Sequence, residues 1–298
     1  MRIALINSGI GLLATAAELH RLRPDADLVL AMDPDGMPWG PRTPADIAQR
    51  SLACARATAA FGPDVLVFAC NTGTVHALPA LRAEFEPAMP VVGTVPAIKP
   101  AAAFSDSVAI WATVATTAST YQRRLIDDFA GSARVTPVPC PGLADAVDAG
   151  DEAATRAAVA GAAARTPADC GAVVLGCTEY ELAAGLIGAA LPGVTLFRSA
   201  AAVAAQALRR VAASGTDAGP GAAPSRTGTV RVLLSGRQAG LPEAALRYAE
   251  GRLLADLVVD DRPADDVRAD DRPADDRADE PRAEREAERS APPSSVPA

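Results

Sequence analysis

Two stretches of this chain end an apolar run on a cysteine. Leu66 to Gly73 reads LVFACNTG, and Val173 to Tyr180 reads VVLGCTEY. In each, hydroxyl, amide or carboxyl groups follow the thiol at once. One cysteine at a strand end is ordinarily a small buried hydrophobe. Two, each followed by polar donors, suit a specific chemistry. A thiolate on one side of a bound carbon removes a proton, and a thiol on the other side returns one to the opposite face. The stereocentre inverts, and the roles swap for the other enantiomer. A free thiol titrates near about 8.5, so each would need a dipole, donor or base beside it to act near neutrality.

Such thiols must be held at the ends of buried strands. Short apolar runs predict strands at Arg2–Ile6, Asp27–Ala31, Val65–Ala69, Val91–Gly93, Val108–Ala112, Arg134–Pro137, Ala172–Gly176 and Thr195–Arg198, with alanine-rich helices between them. The clearest helix starts at Thr43 as N-cap, with Pro44 at N1 and Asp46 at N3, and runs toward Gly62. Alternation of this kind predicts an α/β fold of two similar lobes, parallel sheets flanked by helices, with the cleft between them. Ligands in such sheets bind beyond the carboxyl ends of the strands. Cys70 and Cys177 both fall at such ends, one thiol from each lobe. The expected divisions are a first lobe over 1–97, a second over 98–208 and a linker over 209–228. A strand–helix unit over 229–259 then returns to the first lobe, and a disordered acidic tail spans 260–298, where DDRPADD occurs twice.

Composition narrows the function classes. The chain has 298 residues, 49% of them hydrophobic, enough for a sizeable core. The formal charge is −8, and thirteen acidic and seven basic residues from Asp260 onward carry most of it. A nearly neutral body offers no basic face for nucleic acid. Five cysteines without a C-x-x-C spacing, and only two histidines, argue against a zinc site. The single lysine, Lys99, lies between Ile98 and Pro100, which is poor support for a pyridoxal-phosphate Schiff base. We therefore expect no cofactor and no metal. No stretch approaches the roughly 20 apolar residues of a membrane span. MRIALINSG is too short an apolar run for a signal peptide. The expectation is a cytoplasmic protein with reduced thiols. One competing pattern is Gly9-x-Gly11-x-x-Ala14 after the first strand, with Asp33 at the end of the second, as in dinucleotide-binding turns. That reading leaves both cysteine turns unexplained.

Taken in order, the turns resemble the cofactor-independent glutamate racemases of the aspartate/glutamate racemase superfamily. The family's D-S-G-x-G-G stands here as Asn7-Ser8-Gly9-Ile10-Gly11-Leu12. Its P-Y-G-x-[KR]-[ST]-P-E-E-I stands as Pro38-Trp39-Gly40-Pro41-Arg42-Thr43-Pro44-Ala45-Asp46-Ile47, and its A-C-N-T is intact at Ala69 to Thr72. A threonine-rich turn precedes Tyr121-Gln122-Arg123, Cys140-Pro141-Gly142-Leu143 matches C-P-x-L, and G-C-T-H-Y is Gly176-Cys177-Thr178-Glu179-Tyr180. The resemblance implies acid/base roles for Cys70 and Cys177, assisted by Asn7 and Glu179. It implies substrate contacts from Ser8, Asp33, Trp39, Gly40, Asn71, Thr72, Thr113, Thr116 and Thr178. Two supports differ from the family: its aspartate is Asn7, which can only hydrogen-bond, and its histidine is Glu179, as in the aspartate-racemase branch. The implied function is racemisation of glutamate, supplying D-glutamate for peptidoglycan. Racemisation of aspartate or another acidic amino acid, or a catalytically silent paralogue, are the alternatives. The implied partner is a small acidic amino acid, and family habit points to a homodimer.

Overall fold

The eight apolar runs all become strands in the computed structural model, which describes residues 1–215 and 227–259. They form two sheets. The first contains β1 (Arg2–Asn7), β2 (Asp27–Met32), β3 (Val65–Phe68), β4 (Val91–Gly93), β9 (Val230–Leu234) and β10 (Arg237–Ala239), in the order β10-β9-β2-β1-β3-β4. Only β10 runs antiparallel. The second contains β5 (Ser107–Ala112), β6 (Arg134–Pro139), β7 (Ala172–Leu175) and β8 (Thr195–Phe197), all parallel, in the order β6-β5-β7-β8. Both lie in one compact unit, Met1–Asp260.

Parallel strands need crossover helices, which cover both faces of a sheet and make its central strands apolar throughout. Ile3, Ala4, Leu5 and Ile6 of β1 are fully buried, as are all four residues of β3 and of β7. On the first sheet, α1 (Leu12–Leu22) packs on one face, and α2 (Pro44–Ala59) and α3 (Asn71–Phe85) on the other. On the second, α4 (Ile98–Phe104), α5 (Val114–Ala118) and α6 (Thr120–Phe129) follow the chain across one side. The other side carries α7 (Leu143–Asp148), α8 (Glu152–Ala163), α9 (Thr178–Leu182) and α10 (Ala184–Ala190). Helix α2 begins as expected. Thr43 is extended, its hydroxyl oxygen accepts from the Asp46 N–H at 3.2 Å, and Pro44 fills N1. Gly62, three residues past the helix end, takes the left-handed φ of +61°.

Three boundaries depart from the sequence reading. Helix α11 (Ala200–Ala213), assigned mostly to the second lobe, packs on the first sheet instead, where Val203, Ala204, Ala207 and Val211 join the core beside α1. It also runs through residues 209–213, expected in the linker. The run from Leu241 to Leu257, expected as one helix, breaks into a 3₁₀ turn (Glu243–Arg247) and α12 (Ala249–Ala255). Tyr248 is extended between them, and its hydroxyl donates to the Val147 carbonyl at 2.8 Å. That tertiary bond outweighs the local helical pattern. The unit still returns to the first sheet, since β9 pairs with β2. The acidic tail lies outside the described residues, as do linker residues 216–226. Among the described residues, no helix is long and apolar enough to cross a membrane.

Candidate active site between the two sheets

Strand carboxyl ends from both sheets face a cavity of about 430 Å³. The first sheet contributes Ser8 after β1, and Cys70, Asn71 and Thr72 after β3, with Trp39 and Gly40 from the loop ahead of α2. The second contributes Thr113 after β5, Cys140 after β6, Asp145 and Asp148 on α7, and Cys177 and Glu179 after β7. The opening pair of turns thus meets across one space.

The two thiols are supported differently. Cys70 is the extended N-cap of α3, and its sulfur accepts from the Gly73 N–H at 3.3 Å. A fifteen-residue helix presents its positive end to that sulfur. Gly73 is required for this approach: a Cβ there would lie 2.2 Å from Phe68 Cζ. Burial pushes the Cys70 thiol up to about 12, the charge of Glu179 adds to it, and the N–H groups of Gly73 and Thr72 oppose. Cys177 is likewise an extended N-cap, but α9 has only five residues. Its support is a carboxylate, the thiol donating to Glu179 Oε2 at 2.8 Å. Burial first, then Glu179, then the charge on Cys70 raise the Cys177 thiol well above its ordinary value.

Glu179 is 4% exposed and fully engaged. Its Oε1 accepts from Asn7 Nδ2 at 3.1 Å, and its Oε2 from Thr178 Oγ1 at 3.3 Å. Asn7 in turn donates to Thr178 Oγ1 at 3.3 Å and accepts the Ser8 N–H at 2.7 Å. The loop after β1 therefore reaches across to the second sheet. Glycine makes that possible: a Cβ on Gly11 would lie 2.5 Å from Glu179 Oε1, and one on Gly9 2.2 Å from Asp148 Oδ1. These same contacts oppose the dinucleotide reading, because carboxylates occupy the concavity that a pyrophosphate would need.

Nine of the thirteen expected site residues line the cavity: Ser8, Trp39, Gly40, Cys70, Asn71, Thr72, Thr113, Cys177 and Glu179. Four do not. Asn7 is fully buried behind Glu179, and Thr178 is buried beside it. Thr116 sits behind Thr113, with its N–H and hydroxyl both bonded to Thr113 Oγ1. Asp33 is corrected most: its carboxylate is taken by Trp39, Arg50 and Ser235, and it faces away from the cavity. Asn71 is the reverse case, since both side-chain amide atoms are buried without a partner, polar groups held ready for a ligand.

The sequence reading missed Asp145 and Asp148. They stand at i and i+3 on α7, a spacing that puts both on one helix face, and α7 starts beyond the end of β6. That spacing was the available signal. Asp148 accepts the Ile10 N–H at 2.8 Å, and burial, then the charge of Glu179, raise its carboxyl well above the ordinary value. Cys140 also lines the cavity, but its thiol donates to the Val138 carbonyl at 3.4 Å and burial pushes it up to about 12. The lining carries three carboxyls and no lysine, arginine or histidine. Among the described residues, no cluster of three His, Cys, Asp or Glu is arranged to hold a metal.

Known proteins share this family pattern and this fold. The Asp/Glu/hydantoin racemase family model matches residues 6–207. A glutamate racemase of Pseudomonas putida (strain W619) is 37% identical over 217 residues, 71% of this chain and 82% of that protein. The crystal structure of Escherichia coli glutamate racemase with L-glutamate and the activator UDP-MurNAc-Ala superposes with a TM-score of 0.69 at 27% identity, covering 83% of this chain and 91% of that one. Glutamate racemase of Thermus thermophilus, solved with β-chloro-D-alanine, gives 0.64 at 28% identity, covering 87% and 94%.

Proposed function

The chain belongs to the Asp/Glu/hydantoin racemase family, and from that premise we propose that it interconverts L- and D-glutamate by proton transfer between Cys70 and Cys177, supplying D-glutamate for peptidoglycan. The observation that carries this reading is the convergence of two N-capping cysteines, one from each sheet, on a single cavity. A carbon held between them is open to a thiol on either face. Cys70 as thiolate removes the α-proton and becomes a thiol. Cys177 gives its thiol proton to the opposite face of the carbanion and is left as thiolate, ready for the reverse reaction. Glu179 Oε2 orients the Cys177 thiol proton and, in the opposite direction, takes it first so that Cys177 is the thiolate that attacks the α-proton, while the Gly73 N–H and the α3 terminus favour charge on Cys70.

Ser8, Asn71, Thr72 and Thr113 supply the polar contacts for the amino acid, with the unpartnered Asn71 amide foremost. Asn7 and Thr178 act through Glu179 rather than on substrate. We place the reaction in the cytoplasm, where the five free cysteines stay reduced. The expected assembly is a homodimer, on the strength of family habit alone.

The test is α-proton exchange in D2O. L- and D-glutamate, then L- and D-aspartate, are followed by NMR with wild type, Cys70→Ala and Cys177→Ala. Exchange with inversion on glutamate, lost in either variant, is the expected result. Exchange confined to aspartate would move the substrate to that amino acid. No exchange with either, in folded protein, would overturn the racemase assignment.

A further inference from the structure

Asp33 is 4% exposed, yet it lies outside the cavity, and its two oxygens hold three elements together. Oδ2 accepts the Trp39 Nε1–H at 3.0 Å and Arg50 Nη1 at 3.1 Å. Oδ1 accepts the Ser235 hydroxyl at 3.2 Å. The backbone N–H of Asp33 also donates to the Ser8 carbonyl at 3.0 Å. Trp39 is 1% exposed and forms a cavity wall. Its ring meets Phe68 edge-on, with centroids 6.1 Å apart at 73°. Phe68 presses against Gly73, whose N–H is bonded to Cys70 Sγ. An unbroken line of contact therefore runs from Asp33 through Trp39 and Phe68 to the turn that holds the first thiol.

The third element comes from far along the chain. Ser235 and Gly236 form the two-residue loop between β9 and β10, with φ of 46° and 80°. Loops of this kind favour Asn, Asp or Gly at the first central position. Ser235 is the only non-glycine residue with positive φ among the described residues. A hydroxyl there bridges the Asp35 N–H at 3.1 Å and the Asp33 carboxylate. Backbone strain of this kind is kept where surrounding contacts demand it.

We propose that Asp33 is a positioning residue, fixing the Trp39 indole that walls the cavity beside Cys70, and that the β9–β10 hairpin, through Ser235, belongs to the same device. The activity arm of its test rests on the racemase reading, and the spectroscopic arm does not. Trp39 and Trp111 are the chain's two tryptophans, so in a Trp111→Phe background the emission reports on Trp39 alone. There, Asp33→Ala shifts the emission as the indole N–H loses its acceptor. Asp33→Asn, which keeps an acceptor oxygen, restores most of the wild-type spectrum. Ser235→Ala produces a smaller shift in the same direction. In otherwise wild-type protein, Asp33→Ala lowers kcat/KM for glutamate about tenfold or more, the weight of a buried hydrogen bond to a charge. In a Trp39→Phe background the same change costs less than about twofold, because two residues acting through one bond are not additive.

Unchanged emission in Asp33→Ala, or equal losses of kcat/KM in both backgrounds, overturns the role of Asp33. Unchanged emission in Ser235→Ala removes the hairpin from the device. Wild type that exchanges no α-proton would sink the racemase reading alone, leaving the emission of Asp33→Ala and Asp33→Asn to decide this proposal.

Discussion

Replacing Glu179 with glutamine should make Cys177 more reactive and the enzyme less active. In the resting site the Cys177 thiol donates to Glu179 Oε2 at 2.8 Å. A hydrogen bond to an ionised group contributes about 1.5–3 kcal/mol, and here it favours the protonated thiol. Losing it raises the thiolate fraction at a fixed pH below the thiol's own by about 10- to 100-fold. A more acidic thiol is a weaker nucleophile, with a Brønsted slope of about 0.4–0.5, so the net gain in alkylation is about three- to fifteenfold. Racemisation moves the other way, because the base that takes the Cys177 proton is gone. General-base assistance is worth about 10²- to 10⁴-fold, so kcat should fall by at least about a hundredfold. The assay is iodoacetamide labelling at pH 8 with peptide mapping, run beside the proton-exchange measurement. Cys70 should also label faster, by less, since Glu179 raises it through charge rather than by direct bonding. If Cys177 labels no faster in Glu179→Gln, or if turnover is unchanged, Glu179 does not hold the thiol's proton and the assignment of the base fails.

Two further predictions concern the groups around that carboxylate. Asn7→Asp puts a second carboxylate beside Glu179 Oε1, where Asn7 Nδ2 now donates at 3.1 Å in a fully buried position. The single variant should lose more than about tenfold in turnover and melt lower, because like charges at that distance cannot both ionise. Adding Glu179→His should restore an oppositely charged pair and recover activity, and a double variant no better than the singles would refute this. Asp148 offers a stability test. Its folded-state carboxyl is raised by burial and then by Glu179, so between 3.8 and that raised value the native state binds more protons than the unfolded chain. Native stability therefore falls as pH rises through that window. Asp148→Asn stays neutral and can still accept the Ile10 N–H, so it should melt above wild type at pH 7, the gap closing as pH falls toward 3.8. Equal melting temperatures at pH 7 would mean that Asp148 ionises without cost.

Why some of this was readable and some was not has physical causes. The Cys70 and Cys177 turns stood out because a buried parallel strand must be apolar on both faces, so the first polar atoms after it mark the crevice. Helix α2 was readable from Thr43, Pro44 and Asp46, since capping is a local interaction. The i, i+3 spacing of Asp145 and Asp148 placed both on one helix face, but the tertiary partner of Asp148 was not readable, because nothing near it in sequence hints that Ile10, 138 positions away, supplies its hydrogen bond. The same holds for Asp33. Family position put it on the substrate, and only the fold brings it Trp39 and Ser235. Asn7 and Glu179 looked like two separate losses from the family pattern. In space they are one hydrogen-bonded pair, so each change accommodates the other.

The strand order has a consequence for how the protein is made. Strand β2 acquires its outer neighbour, β9, only after the whole second sheet has been synthesised. From Met32 to Val230 the ribosome adds about 200 residues, which at about 5–20 residues per second takes roughly 10–40 seconds. A first sheet formed within that interval would present β2 as an open edge, with Leu28, Val29 and Leu30 among its residues. An unpaired apolar edge is an invitation to another nascent chain. The first sheet is therefore completed only when the last hairpin arrives.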